Sequence, residues 1–205
     1  MKCFLGWEER KVRKHFYPKN ALLLRVDPLL KKLPYNPYSI CRKQGTVYGE
    51  TPLTVFHDMF SKGGLLPSDC FMDLGCGRGR GVFFASLLWG CKSIGIDIVP
   101  LFCQEAKKIA ETIFSSVSSP PSFLCGDLTA LDWELQGSFF YFYSLCLSKE
   151  KLLSIVQKLE KTKPRSKIIT VSAPLTELSS AFCLLSSWGA QFPWGETKLF
   201  LQEKQ

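Results

Sequence analysis

Three acidic residues, each closing a short apolar run, mark where this chain could do chemistry. The first opens Asp73-Leu74-Gly75-Cys76-Gly77-Arg78-Gly79-Arg80, the second closes Gly95-Ile96-Asp97, and the third stands in Gly126-Asp127-Leu128. Glycines at alternate positions let the backbone turn tightly and approach a ligand with no Cβ in the way. The dinucleotide fingerprint needs glycines spaced GxGxxG. Counted from Gly75 that pattern meets Arg80, and counted from Gly77 it meets Val82. The phosphate-loop pattern fails as well, for want of Gly-Lys-Ser/Thr. An acid ahead of the glycines opposes a pyrophosphate and suits a ligand that carries positive charge. Asp97 lies 24 residues after Asp73, and an acid about 20 residues beyond a glycine loop accepts hydrogen bonds from ribose hydroxyls. Asp127 can accept from an adenine amino group. Any one of these features alone is an ordinary turn or helix cap; three at successive strand ends point to one ligand site.

The elements that must carry these residues alternate. A helix is expected over Pro52–Lys62, with Thr51 as N-cap and Gly63-Gly64 as its stop. Strands are expected at Cys70–Met72, Ser93–Ile98, Ser122–Cys125, Phe139–Leu147 and Lys167–Ser172, and helices at Gly81–Trp89, Leu101–Phe114, Lys149–Lys161 and Thr176–Ser187. Ser115–Ser122 reads as a loop, and Thr197–Gln202 as a closing extended segment. The fourth strand is nearly all apolar, as a strand buried on both faces of a parallel sheet is. Repeated β-α alternation predicts an α/β fold with a doubly wound, mostly parallel sheet. In such sheets ligands bind at the carboxyl ends of the strands, beside the switch in strand order.

The chain has 205 residues, 46% of them hydrophobic and 21% charged, which excludes wholesale disorder. The uncharged apolar run Gly81–Cys91 is far shorter than the ~20 residues of a spanning helix, and no membrane segment is expected. Acids interrupt Met1–Glu9 too early for a signal peptide. Residues 1–43 hold eleven Lys or Arg against Glu8, Glu9 and Asp27, which accounts for the whole net charge of +8; the remainder balances 15 against 15. We therefore expect a basic N-terminal arm over residues 1–47 and one globular domain over 48–205. The arm suits an acidic partner such as nucleic acid, or serves as a cover packed through Ala21–Leu24 and Leu29-Leu30. Nine cysteines, no two closer than six residues, and two histidines offer no metal-ligand cluster. Free thiols in apolar runs point to a reducing, cytoplasmic setting.

In order and spacing, DLGCGRGR, GID and CGD resemble the cofactor site of the class I, Rossmann-like S-adenosylmethionine-dependent methyltransferases, over roughly residues 48–202. The sulfonium and ammonium of S-adenosylmethionine supply the positive charge that the acid-led loop suits. Tyr48-Gly49-Glu50-Thr51, followed by a helix and then DLG, is similar to the catalytic domain of the Dot-one type histone lysine methyltransferases and their small bacterial relatives. Trp194-Gly195-Glu196-Thr197 resembles the final strand of those bacterial chains. Tyr35-Asn36-Pro37-Tyr38 resembles the aromatic-Pro segment before YGET, across a longer gap. Carried over by position, the resemblance implies that Tyr48, Glu50 and Thr51 line the methionine end of the cofactor. It implies that Asp73 holds the methionine ammonium and that Gly75 and Gly77 admit the backbone to it. It also implies that Asp97 takes the ribose, with Asp127 and Leu128 at the adenine.

One departure concerns the fourth strand. The Dot-one family carries a pair of asparagines where this chain has Tyr143 and Ser144, so with Tyr48 these become the candidate catalytic residues shaping the methyl-acceptor channel. The Asp/Asn-Pro-Pro signature of amino-group methyltransferases acting on DNA bases is absent there. The reaction the resemblance implies is methyl transfer to a protein lysine, on a basic histone-like partner. An RNA methyltransferase holding phosphate through the basic arm, and a cofactor-binding module without transferase activity, stand as alternatives. A nucleotide-dependent oxidoreductase fits the fold but not the glycine spacing.

Overall fold

The computed structural model describes residues 49–114, 120–144 and 147–205, together with Lys14, Val26 and Leu29. Most of the basic arm, Tyr35–Tyr38, Tyr48 and part of the Ser115–Ser122 loop lie outside the described residues. Val26 is helical and buried among Val82, Phe83, Ala106 and Ile109, whereas Leu29 is exposed. The elements run α1 (Leu53–Gly63), β1 (Cys70–Leu74), α2 (Arg80–Trp89), β2 (Lys92–Asp97), α3 (Pro100–Ile113), β3 (Ser122–Cys125) and β4 (Phe139–Phe142). They continue with α4 (Lys149–Leu159), β5 (Lys167–Val171), a 3-10 turn (Leu175–Glu177), β6 (Phe182–Phe192) and β7 (Gly195–Lys204).

One seven-stranded sheet joins the strands in the order β3-β2-β1-β4-β5-β7-β6. Strands β1 to β5 are parallel, and β7 runs antiparallel to both β5 and β6. The expected doubly wound, mostly parallel α/β sheet is therefore present. Strand order reverses between β1 and β4, so a crevice must open at their carboxyl ends, where the chain leaves β1 for one side and β4 for the other. All four residues of β4 are buried, because α1 and α2 cover one face and α4 the other. Phe56, Phe60 and Phe84 pack with Phe71, Phe139 and Ile169 on the first face. Ile155, Val156 and Leu159 pack with Phe140, Phe142 and Ile168 on the second.

No helix intervenes between β3 and β4. Trp133 fills that place on the second face, fully buried, and its Nε1 donates to the Leu128 carbonyl at 2.9 Å. A buried indole needs such an acceptor, and here the bond also pins the loop that follows β3.

Three expectations are corrected. Thr51 does not cap α1; Pro52 takes the cap position without a side-chain bond, and the Thr51 hydroxyl is drawn instead to the Tyr141 hydroxyl, 2.6 Å away. The fourth strand stops at Phe142 rather than Leu147, and Leu147 N–H turns back to the Ser144 carbonyl at 3.1 Å. The helix expected over Thr176–Ser187 is a 3-10 turn followed by strand β6. Ser179 accepts from Ala181 N–H and donates to Glu160, so the serine side chain satisfies backbone that a helix would have used. Strand β6 then pairs along its length with β7, and a bulge between Leu184 and Ser186 breaks the alternation that would have betrayed a strand.

Among the described residues no helix is long and apolar enough to cross a membrane, and no cluster of His, Cys, Asp or Glu could hold a metal ion. The six described cysteines are free.

Candidate active site

The carboxyl ends of β1 to β4 open into a cleft of about 210 Å³, many times what a single water needs. Asp73, Asp97 and Asp127 all line it, as do Gly75, Gly77, Leu128, Glu50 and Thr51. The strand order sets their sequence across the cleft: Asp127 after β3, Asp97 at the end of β2, Asp73 on β1, and Tyr143 after β4. The parallel register places Asp73 between Gly95 and Tyr141.

Asp73 sits within β1 and is only 3% exposed. Burial, with the nearby Asp97 charge second, raises its pKa to about 8. At that value Asp73 is protonated at neutral pH, and a cationic ligand would favour its ionised form. The glycine loop makes room beside it. Gly75 has a φ of 95° and nothing within 4 Å of where a Cβ would stand, so the backbone faces open space. A Cβ on Gly81 would come within 2.4 Å of the Phe56 ring and 2.9 Å of Asp73 Oδ2, so α2 approaches β1 this closely only with glycine at that position.

Asp97 holds the loop in place while keeping capacity for a ligand. Its Oδ2 accepts from Gly77 N–H at 2.8 Å and its Oδ1 from Val99 N–H at 2.9 Å. A carboxylate has about four acceptor sites, so lone pairs remain for vicinal hydroxyls. Burial raises its pKa, against the opposing pull of the hydrogen bonds from Val99, Gly77 and Ile98. Asp127 is in the opposite state. Hydrogen bonds from Thr129 N–H, from Lys151 Nζ at 2.9 Å and from the Thr129 hydroxyl lower its pKa to about 2. Ile98, Val99 and Phe102 add apolar wall at this end of the cleft, suited to the faces of a flat ring.

At the other end Tyr143 lines the cleft and its ring lies 5.6 Å from Trp194. Trp194, at the tip of the β6–β7 hairpin, stacks on Phe192 at 4.9 Å and lies against Gly49. Ser144, expected beside Tyr143, is buried and does not line the cleft. Tyr48 lies outside the described residues. The sequence reasoning missed Arg78, which binds Glu50, and Lys151, which binds Asp127. It also missed Tyr141, whose phenol is held protonated because burial drives its pKa upward. Arg78 stood inside the motif without a role, and Tyr141 was masked by an apolar strand. For Lys151 no sequence signal existed, since it looks like any solvated helix lysine.

The cleft so described pairs buried carboxylates with a Cβ-free loop and an apolar wall, which fits a nucleoside carrying a cationic tail. The family model for the histone methylation protein DOT1 matches residues 30–140. The H3 lysine-79 specific histone-lysine N-methyltransferase of Dictyostelium discoideum is 24% identical over 154 residues, 70% of this chain and 8% of that protein. The Kluyveromyces lactis enzyme of the same description is 36% identical over 127 residues, 61% of this chain and 21% of that protein. The chain thus spans a small part of the curated relatives it matches. Among solved structures, the magnesium protoporphyrin IX methyltransferase of Synechocystis with bound S-adenosylmethionine has a TM-score of 0.61 at 15% identity, covering 85% of this chain and 100% of that one. An RNA methyltransferase of Salinibacter ruber, in complex with S-adenosylhomocysteine, has a TM-score of 0.59 at 23% identity, covering 76% of this chain and 93% of that one. Those two likenesses speak to fold alone. From the matched half of its length and the sheet order that carries it, this chain belongs to the DOT1 histone methylation family of S-adenosylmethionine-dependent methyltransferases.

Proposed function

We propose that the chain binds S-adenosylmethionine in the cleft and methylates a lysine of a basic, histone-like protein. The observation that carries the reading is the row of carboxylates Asp73, Asp97 and Asp127 along one cleft whose far end is Tyr143, backed by the Trp194 ring. Bound there, the cofactor supplies a methyl group already activated by its sulfonium leaving group. The residues of this chain bind, orient and exclude water. Asp73 takes the methionine ammonium beside Gly75 and Gly77, Asp97 the ribose hydroxyls, and Asp127 with Leu128 the adenine edge. Glu50 and Thr51 wall the methionine end, and the family resemblance assigns Tyr48 to the same subsite.

Tyr143 shapes the acceptor channel in place of the family's asparagine, and the Ser144 backbone closes the turn behind the strand end. The acceptor ammonium must lose a proton from a reference pKa of ~10.4. No histidine lines the cleft among the described residues, and the Tyr141 phenol stays protonated. Desolvation of the ammonium between aromatic rings lowers its own pKa, so no dedicated base is invoked; orientation and water exclusion do the remainder. The domain is assigned to residues 48–205 and the arm to 1–47.

A second reading, an RNA acceptor, is favoured by one observation: the whole +8 excess lies in the first 43 residues. The two separate in one experiment, in which the full chain is given methyl-labelled S-adenosylmethionine with histones or with RNA. Label on histone lysine supports the proposal. Label on RNA alone, with binding that weakens steeply in salt, overturns it. Binding of the cofactor with no transfer to either pool would leave a binding module.

A further inference from the structure

Gly49, Glu50 and Thr51 form a strap along one wall of the cleft, and each is tied to a different element. Gly49 lies under the Trp194 ring of the β6–β7 hairpin, where a Cβ would come within 2.8 Å of it. Thr51 shares its hydroxyl hydrogen bond with Tyr141 on β4. Glu50 crosses to the glycine loop, where Oε1 accepts from Arg78 Nε at 2.7 Å and lies 2.5 Å from Nη2. Arg80 Nη1 stands 3.9 Å from Oε2 of the same carboxylate. The alternating glycines thus let two arginines, two positions apart, reach one acid. The Arg78 and Glu50 side chains are 10% and 22% exposed, so the pair is screened less than a surface pair. Two nitrogens of the rigid Arg78 guanidinium converge on the one oxygen Oε1, where a lysine would offer a single ammonium.

We infer that Arg78, acting through Glu50, is a positioning residue that holds the strap closed over the methionine end of the cleft. The inference rests on the cofactor reading above. The strand order puts the strap on the β1–β4 side, with Asp127 on the β3 side and Asp97 between them. Loosening the strap therefore weakens the hold on the amino-acid portion of a ligand and leaves the nucleoside subsite as it was.

Calorimetric titration of the full chain with S-adenosylhomocysteine and with 5′-methylthioadenosine, which keeps the nucleoside and lacks the amino-acid portion, tests this. Arg78→Met should weaken S-adenosylhomocysteine by about tenfold or more, while methylthioadenosine stays within about twofold of the parent. Glu50→Gln should show the same selective loss, and the double variant should lose no more than either single change. Unchanged S-adenosylhomocysteine affinity in Arg78→Met overturns the inference, as does equal loss of both ligands or multiplication of the two losses in the double variant. A parent chain that binds neither ligand refutes the cofactor reading itself, and the strap's role falls with it.

Discussion

Asp73→Asn tests how the site manages its charge. The folded protein holds this carboxyl at about 8 against an ordinary 3.8, chiefly through burial. Between those values the folded state binds a proton that the unfolded state has lost, so stability is full below about pH 4 and falls as pH rises toward 8. Each unit costs about 1.4 kcal/mol, so by pH 7 burial of Asp73 has cost the unliganded fold about 4 kcal/mol. Asparagine has nearly the same shape and no charge to lose. Relative to the parent, Asp73→Asn should gain about 4 kcal/mol between pH 4 and pH 7, a widening of the melting-temperature gap by roughly 8–16 °C at this chain length. The variant should also lose its affinity for S-adenosylhomocysteine, because the ammonium has no anion to meet. Calorimetry of the parent at pH 7 in two buffers of different ionisation enthalpy should show release of about one proton on binding, as Asp73 ionises. Melting profiles that run parallel for the two proteins across this pH range would refute the electrostatic account, whatever the variant did to binding.

Other consequences are simpler to read. Asp97→Ala should weaken S-adenosylhomocysteine sharply with circular dichroism unchanged, since ribose acceptors and the Gly77 anchor are lost together; parent-like affinity would remove Asp97 from the site. Thr51→Val leaves the buried Tyr141 hydroxyl without its partner and should cost about 1–3 kcal/mol in chemical denaturation. Gly75→Val puts a branched side chain at a φ of 95° and into the open cleft; it should melt lower and bind no cofactor, and a fully binding variant would show that the ligand lies elsewhere. Trp194→Ala should reduce transfer to protein and also weaken S-adenosylhomocysteine while sparing 5′-methylthioadenosine, because the ring packs against Tyr143 and holds Gly49 of the strap; parent-like transfer would remove the ring from the acceptor channel.

Most of the sheet was legible because its signals are local. Apolar runs ending in Asp73, Asp97 and Gly126-Asp127 gave both the strands and the places where they stop, and the glycine spacing excluded a pyrophosphate loop. The failures came where a distant partner decided the outcome. Thr51 is a sound N-cap by type, but a phenol 90 positions away offers it a better bond. Phe182–Leu185 has apolar spacing compatible with a helix, but β7 supplies an antiparallel edge that sequence proximity does not reveal. Ser144 sits next to Tyr143 in the chain, yet the strand ends at Phe142 and the two are no longer equivalent across the cleft.

By itself, the sequence determined the class of fold, the glycine loop and its acids, and a concentration of charge in the first 43 residues. These depend on residue type, on periods of two or 3.6, and on spacing along one stretch of chain. Packing around each acid, visible only in the folded chain, sets the charge state in which it meets a ligand. Asp73 and Asp127 look alike in the sequence, yet one is buried and raised to about 8 while the other, fed by Thr129 and Lys151, is lowered to about 2. The tertiary structure also brought Arg78 to Glu50 and Trp194 to Tyr143. Desolvation and pairing depend on what packs around a group from every side, and that is known only once the chain has folded.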